Sequence, residues 1–419
     1  MGTWGGICLN RGLVRGAALV LPDRICYGGM IWQDGILKEI FEEASQIQEP
    51  KLLSNGLAPI RIGRQVLKGT TMWDMEEDFL IPGLIDTHVH GAGGCDVMDS
   101  TPESLQTLAE ALLKEGTTAF LPTTMSCIPE QLKSVLQNVA DFHLGNVRGA
   151  EILGLHLEGP FLAKEFRGAQ ATELIWEGPK GGSGQFLANL LHEFPHLVKI
   201  LTFAPERSDG RELTEICLAH GVIPSAGHTA ANFAQMEEAV QWGVRHITHA
   251  FNAMPAIHHR NPGLLTKALL DETITMEIIA DGVHIHPAVI ELILRNKSPE
   301  RVCLISDGTR AVGMPNGEYE LGGQKVIVHQ GVAQLPDGTI AGSVYPLRQG
   351  LKTLVQKLQY PLPEAVRYAT LNPAKLLGID NRVGSLEIGK DATFIRLSSG
   401  LDIKQVWLQG QLVFEAKEI

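Results

Sequence analysis

The chain has 419 residues, too many for one average domain and suited to one large unit plus a smaller one. A formal net charge of −12 speaks against non-specific binding to nucleic acid or an anionic membrane, while 44% hydrophobic residues suffice for an ordinary globular core. Cys8, Cys26, Cys95, Cys127, Cys217 and Cys303 are scattered and form no CxxC pair, so reduced thiols in a cytoplasmic protein are expected rather than a disulfide framework.

Residues up to about 80 hold short β-like pieces, AALVLP and GMIWQDG, with a turn at Asp34-Gly35. The opening residues lack a signal-peptide pattern, and no run reaches the apolar length of a membrane helix. The stretch from 44 to 76 is polar and is read as irregular. From 81 the pattern changes. DFLIPGLIDTHVHG precedes TPESLQTLAEALLKEG, where Leu105, Leu108, Leu112 and Leu113 make a helical stripe that Gly116 can close. Seven further runs follow, TTAFLPTT, EILGLHLEGPFL, LVKILTFAPE, VIPSAGHT, VRHITHAFNAM, ITMEIIADGVHIHP and RVCLISDGTRA, each with a helical segment after it. Beyond about 378 the β-like pieces return, in VGSLEIGKDATFIRL and QVWLQGQLVF.

Eight strand-then-helix units predict an α/β fold. The expected form is a TIM-type (β/α)8 barrel over 81–377, with a small β-sandwich domain made from both termini, 1–80 and 378–419. An open doubly wound sheet is the alternative. The barrel is favoured because the runs begin apolar and end in polar residues, which a closed barrel gathers on one rim.

Those run ends carry metal-ligand residue types. His88 and His90 alternate on the first strand and so share a face. Glu158 ends the third run after apolar neighbours, where a buried carboxylate would need a positive partner. His228 ends the fifth run and His249 the sixth. Asp307 ends the eighth and suits a general base that later returns its proton. Each alone has an ordinary structural reading; together they point to a metal-dependent hydrolase. His156 reads as a core histidine and His246 as a non-ligand. Arg260 and His284, in loops after strands six and seven, suit a phosphate or carboxylate.

The stretches PGLIDTHVHGAGGCDVMD, GLHLEGPF, TFAPE, SAGHT, THAFNAM, IADGVHIHP, LISDGTRAVGMPNGEYELGG, IAGS and TLNPAKLLGI resemble the amidohydrolase superfamily, and within it the N-acetylglucosamine-6-phosphate deacetylase family. The resemblance implies hydrolysis of an N-acetyl group on a sugar phosphate by a homodimer. It implies a principal metal site at Glu158, His228 and His249, with one or two divalent ions (Zn, Fe, Mn or Co) per subunit, and Asp307 as acid/base. It implies substrate contacts at Ala169, Gln170, Asn252, Ala253, Arg260, Asp281, Gly282, Val283, His284, Ile340, Ala341 and Gly342, with His284 reaching a neighbouring subunit's site. Gln170 stands where the family usually has His. His88 and His90 are kept, although some members replace them. Alternatives are a deacetylase of another N-acetylhexosamine phosphate, a cyclic-amide hydrolase, and a non-catalytic scaffold. The second is disfavoured because the run ends offer Glu158 and no lysine.

Overall fold

The computed structural model describes residues 11–42, 70–76, 78–143, 148–176 and 182–417. Cys8 and residues 44–69 lie outside them. Its chain contacts divide into two compact units, Leu84–Tyr360 on one side and Met1–Gly83 with Pro361–Ile419 on the other.

The larger unit is the barrel. Its strands are β1 (Leu84–Val89), β2 (Thr117–Thr124), β3 (Leu155–Glu158), β4 (Val198–Phe203), β5 (Ile223–Ala226), β6 (His246–Ile247), β7 (Thr275–Ile279) and β8 (Val302–Ile305). They pair in parallel in that order. Every residue of β1, β2, β3, β7 and β8 is buried, as expected of strands covered on both faces. The ring closes just past the ends of β8 and β1. There the Asp307 N–H donates to the His88 carbonyl at 3.0 Å, and the His90 N–H donates to the Gly308 carbonyl at 2.8 Å.

The helices are α1 (Pro102–Lys114), α2 (Pro129–His143), α3 (Gly182–Glu193), α4 (Gly210–Ala219), α5 (Phe233–Trp242), α6 (Gly263–Leu270), α7 (Pro287–Asn296) and α8 (Leu347–Lys352). Helix α1 shows why they form where the sequence pattern puts them. Thr101 caps it by accepting from the Ser104 N–H, Pro102 pre-sets its first turn, and Leu105, Leu108, Leu112 and Leu113 are its buried stripe.

Between β8 and α8 the chain adds a three-stranded antiparallel sheet, Gly317–Leu321, Gln324–His329 and Val332–Gln334, which the sequence reading did not separate out. Leu321, Val326, Val328, Ala333 and Leu335 form its own core with Met125 and Ala341.

The smaller unit holds one sheet built from both termini, together with helices Leu362–Tyr368 and Leu371–Leu376. The sheet's order is Gln411–Glu415, Ile403–Leu408, Phe394–Leu397, Phe79–Pro82, Arg11–Val20, Ile25–Gln33 and Ile36–Glu42. The turn at Asp34-Gly35 has positive φ at both residues, 52° and 80°, as a tight hairpin requires. Met30, Trp32, Leu80, Phe394 and Trp407 anchor the core. One expectation is corrected: the stretch read as irregular ends in a strand, Thr70–Asp74, parallel to Arg11–Arg15. That pairing spans about sixty residues of chain, beyond the reach of local pattern. Cys26, Cys95, Cys127, Cys217 and Cys303 are free thiols. No helix among the described residues is long and apolar enough to cross a membrane.

Leu108 is fully buried. Leu108→Ala should lower barrel stability by about 2–5 kcal/mol, read as a lower urea midpoint at unchanged slope. A loss below about 1 kcal/mol would show that α1 does not pack as described.

Candidate metal centre

The barrel's closure brings the ends of β1, β3, β5, β6 and β8 onto one rim, and the expected histidines and carboxylates meet there. Three of them sit in left-handed backbone, His228 at φ 46°, His249 at φ 28° and Asp307 at φ 50°. Such conformations cost non-glycine residues about 1–3 kcal/mol each and persist where surrounding structure enforces them.

The ring partners fix the protons. His228 Nδ1 lies 2.9 Å from the Phe166 carbonyl oxygen. A carbonyl only accepts, so Nδ1 is the donor and, in the neutral ring, Nε2 presents a lone pair. That lone pair faces Glu158 Oε1 and His249 Nε2, each 3.1 Å away, while Oε1 is 2.8 Å from His249 Nε2. Three electron-rich atoms this close repel one another unless positive charge sits among them. Ligand atoms around a tetrahedral ion with ~2 Å bonds stand roughly 3.3 Å apart, so the trio fits one. His90 repeats the device: its Nδ1 is 3.1 Å from the Thr123 carbonyl, leaving Nε2 toward Asp307 Oδ1 at 3.3 Å and Glu158 Oε2 at 3.6 Å. His88 Nε2 is buried without a hydrogen-bond partner, 3.5 Å from both Glu158 Oε1 and Asp307 Oδ1. His88, His90 and Asp307 form a second group able to hold an ion.

The electrostatics agree. Burial opposes charge on His90 and His249. The hydrogen bond to Asp307 and the charge of Glu158 outweigh it for His90, and the bond to Glu158 and its charge do so for His249, pushing both up to about 9. Glu158 is held well below the usual carboxylate range despite its burial, chiefly by His228 and His88. Asp307, also buried, is pulled down to about 2, chiefly by the hydrogen bond from His90. The rim draws positive charge to itself, and a divalent ion would take the place of those protons.

Gln170 belongs to this arrangement. Its Oε1 accepts from the Ser126 N–H at 2.8 Å, which fixes the amide so that Nε2 donates to Glu158 Oε2 at 2.7 Å. The side chain thus ties down the carboxylate oxygen that does not face His228 and His249.

Above the rim opens a cavity of about 260 Å³. Glu158, His90, His228, His249 and Asp307 form its floor, and Ala169, Gln170, Asn252, Ala253, His284, Ile340 and Gly342 stand on its walls. Leu321 and Thr339, beside the inserted sheet, also line it. His284 lines the cavity of the single chain. The Asp281 turn folds it back: Asp281 Oδ1 accepts the Val283 and His284 N–H groups, and Oδ2 lies 2.8 Å from His284 Nδ1. Asp281, Gly282 and Val283 frame that histidine without lining the cavity. Ala341 turns into the core of the inserted sheet. Arg260 is exposed and off the walls, on a tight turn closed by a His258–Asn261 bridge, with its guanidinium 2.7 Å from His259 Nε2.

Residues 79–413 match the family model described as "Amidohydrolase family". The chain belongs to that family. It is therefore a metal-dependent hydrolase. An N-acetylglucosamine-6-phosphate deacetylase of Vibrio furnissii is 38% identical over 80% of this chain and 83% of its own length. An N-acetylgalactosamine-6-phosphate deacetylase of Escherichia coli O157:H7 is 35% identical over 81% of this chain and 89% of its own. A solved structure, a variant N-acetyl-D-glucosamine-6-phosphate deacetylase of Mycobacterium smegmatis in complex with N-acetyl-D-glucosamine-6-phosphate, aligns at TM-score 0.83 and 27% identity. That alignment covers 96% of this chain and 99% of the other.

This amidohydrolase also carries a polar layer directly beneath its rim. His156 Nδ1 is 2.9 Å from the Thr87 carbonyl and Nε2 is 2.7 Å from Thr202 Oγ1; burial lowers its pKa to about 3, so it stays a neutral core group. Asp86 Oδ1 accepts from the His88 and Ser306 N–H groups, joining β1 to the end of β8, and burial raises its pKa to about 7. Glu277, at the centre of β7, lies among Thr87, His88 and His246. Its only mark in the sequence is a charged residue inside the apolar run ITMEIIAD.

Two outcomes follow for the chelator-stripped protein. Cation uptake at pH 7 should release protons, because His90 and His249 hold theirs up to about 9 and a ligand must give its proton up. Calorimetry in buffers of different ionisation heat measures this, and buffer-independent heats would contradict it. Gln170→Ala should weaken cation affinity 10- to 100-fold by freeing Glu158 Oε2; unchanged affinity would leave Gln170 to the substrate alone.

Proposed function

We propose that this chain hydrolyses N-acetylglucosamine 6-phosphate to glucosamine 6-phosphate and acetate. The observation that carries the reading is the meeting of Glu158 Oε1, His228 Nε2 and His249 Nε2 within 3.1 Å, with Asp307 beside them on the cavity floor. In this reading Glu158, His228 and His249 hold the principal cation, and His88 and His90 are available to a second. A divalent ion bound there supplies positive charge to the acetamide oxygen and makes water a stronger acid. Zn, Fe, Mn and Co all suit imidazole and carboxylate donors.

Asp307 moves the proton. Its carboxylate, held down at about 2, is ionised at neutral pH and ready to accept. It takes a proton from the attacking water as the new C–O bond forms. It then delivers that proton to the sugar nitrogen as the C–N bond breaks, so the neutral amine leaves with acetic acid, whose remaining hydroxyl proton passes to the amine to give acetate and an ammonium group. His284, oriented by Asp281, and Asn252, Ala253, Ile340 and Gly342 surround the space for the sugar phosphate. Asp281, Gly282, Val283 and Ala341 support that wall from behind. Arg260, exposed on its turn, is not assigned to the phosphate within a single chain. The homodimer implied by family resemblance is retained as part of the proposal, and sedimentation of the purified protein tests it.

A second reading, deacetylation of N-acetylgalactosamine 6-phosphate, is favoured by one observation. The Escherichia coli relative is nearly as similar as the Vibrio one, 35% against 38% identity. A scaffold without activity is disfavoured by the strained backbone kept at His228, His249 and Asp307.

Acetate release across N-acetylated glucosamine, galactosamine and mannosamine 6-phosphates and unphosphorylated N-acetylglucosamine decides among these. The glucosamine phosphate should have the highest kcat/KM, at least tenfold above the unphosphorylated sugar. Equal values for those two would remove the phosphate from the proposal, and a preference for the galactosamine compound would install the second reading. Asp307→Asn should lower kcat by about 10²- to 10⁴-fold. Near-normal turnover in that variant would end Asp307's role as proton carrier.

A further inference from the structure

Glu277 is a fully buried carboxylate that the proposed reaction leaves without a task. Ionised carboxylates are almost never buried without compensation, and this one has no Lys or Arg ion-pair partner among the described residues. Its Oε1 accepts from Thr87 Oγ1 at 2.9 Å and lies 3.2 Å from His246 Nε2. Its Oε2 has one charged-type neighbour, His88 Nδ1, at 3.5 Å, and neither atom has a hydrogen-bond partner. Burial disfavours the charge, yet His246 and His88 keep the group well below the usual carboxylate range. The two ends of the His88 ring therefore face different carboxylates: Nδ1 faces Glu277, and Nε2 faces Glu158 and Asp307.

We infer that Glu277 is a positioning residue for the metal centre, acting through His88. It holds the His88 proton on Nδ1, so that the Nε2 lone pair is presented to the rim. The residues at the rim use backbone carbonyls for this purpose, Phe166 for His228 and Thr123 for His90. His88 lies one layer deeper, with Glu277 in the corresponding place and a negative charge in place of a dipole. A carboxylate there makes the imidazole a stronger donor than a carbonyl does. Its cost is a buried charge, which the fold tolerates through Thr87 and His246.

The inference rests on the metal-binding part of the proposed function, and one set of measurements separates the two. Full-length wild type, E277Q and E277M, each stripped by chelator, are titrated with Co²⁺ while visible absorption and bound metal are followed. Thermal unfolding of each metal-free form is measured in parallel. The inference expects E277M to bind the Co²⁺ equivalent that His88 would ligate 10- to 100-fold more weakly than wild type does, with an altered spectrum for that equivalent. E277Q, which keeps an oxygen acceptor, should fall between it and wild type. The metal-free E277M melts no lower than metal-free wild type, because a buried charge has been removed. Affinity within twofold of wild type and an unchanged spectrum in folded E277M would overturn it. So would variants that fail to fold with or without metal, since Glu277 would then be structural. Failure of the wild type itself to bind metal would instead sink the metal reading.

Discussion

Glu158 is a carboxylate almost wholly removed from water, with one oxygen inside 3.5 Å of three imidazole nitrogens. An uncompensated charge there would cost several kcal/mol, and the rest of the site is arranged around supplying its compensation. Three of the rings come from different strand ends, β1, β5 and β6, so only a closed barrel can deliver them to one point. The two main-chain bonds between the ends of β1 and β8 thus matter to the chemistry as well as to the fold. They bring Asp307 Oδ1 to 3.5 Å from His88 Nε2 and 3.3 Å from His90 Nε2. His228 and His90 are each turned by a carbonyl behind the ring, which preorganises that part of the site.

The layer beneath explains why the rim can be so polar. Barrel interiors are ordinarily filled by branched apolar side chains. Here His156, Thr202, Thr248, Ser225 and Glu277 fill part of the space, and the hydroxyls relay hydrogen bonds across β3, β4, β5 and β6. A neutral His156 and a charged Glu277 in one layer show that burial alone does not set protonation. His156 meets a carbonyl and a hydroxyl, whereas Glu277 meets imidazoles. The inserted sheet serves the opposite end, closing one wall of the cavity with its own small apolar core.

Much of this was legible in the sequence because it depends on local order. The period-3.6 stripe of α1, the cap at Thr101 and the apolar runs ending in polar residues are properties of short windows, and the barrel follows from their alternation. His88, His90, Glu158, His228, His249 and Asp307 were found for the same reason, since each ends a run. What escaped depends on long-range or inward-facing contacts. Glu277 ends no run, so its partners on β1 and β6 are visible only once the ring is closed. The pairing of Thr70–Asp74 with Arg11–Arg15 and the exposure of Arg260 are likewise set by distant chain. The placement of His284 on the cavity wall rests on an Asp281 turn, a local device whose direction no periodicity encodes. Gln170 was noticed as a departure from its family, but its grip on Glu158 required the folded positions of Ser126 and Glu158.

The geometry also sets a competition within the proposed reaction. Asp307 Oδ1 lies 3.3 Å from His90 Nε2 and 3.5 Å from His88 Nε2, the two rings available to a second cation. A carboxylate oxygen that ligates a cation loses basicity, because the cation stabilises its charged form. In the proposed reaction Asp307 would therefore serve a second ion and the substrate's proton with the same few lone pairs. Gln170 bears on the balance from the other side. By holding Glu158 Oε2, it leaves Oε1 as the oxygen that faces His228 and His249. A cationic histidine in its place would repel an ion as well as hold the oxygen, whereas a neutral amide only holds it. In the proposed reaction, a cation held by His88 and His90 would therefore compete with the proton for Asp307.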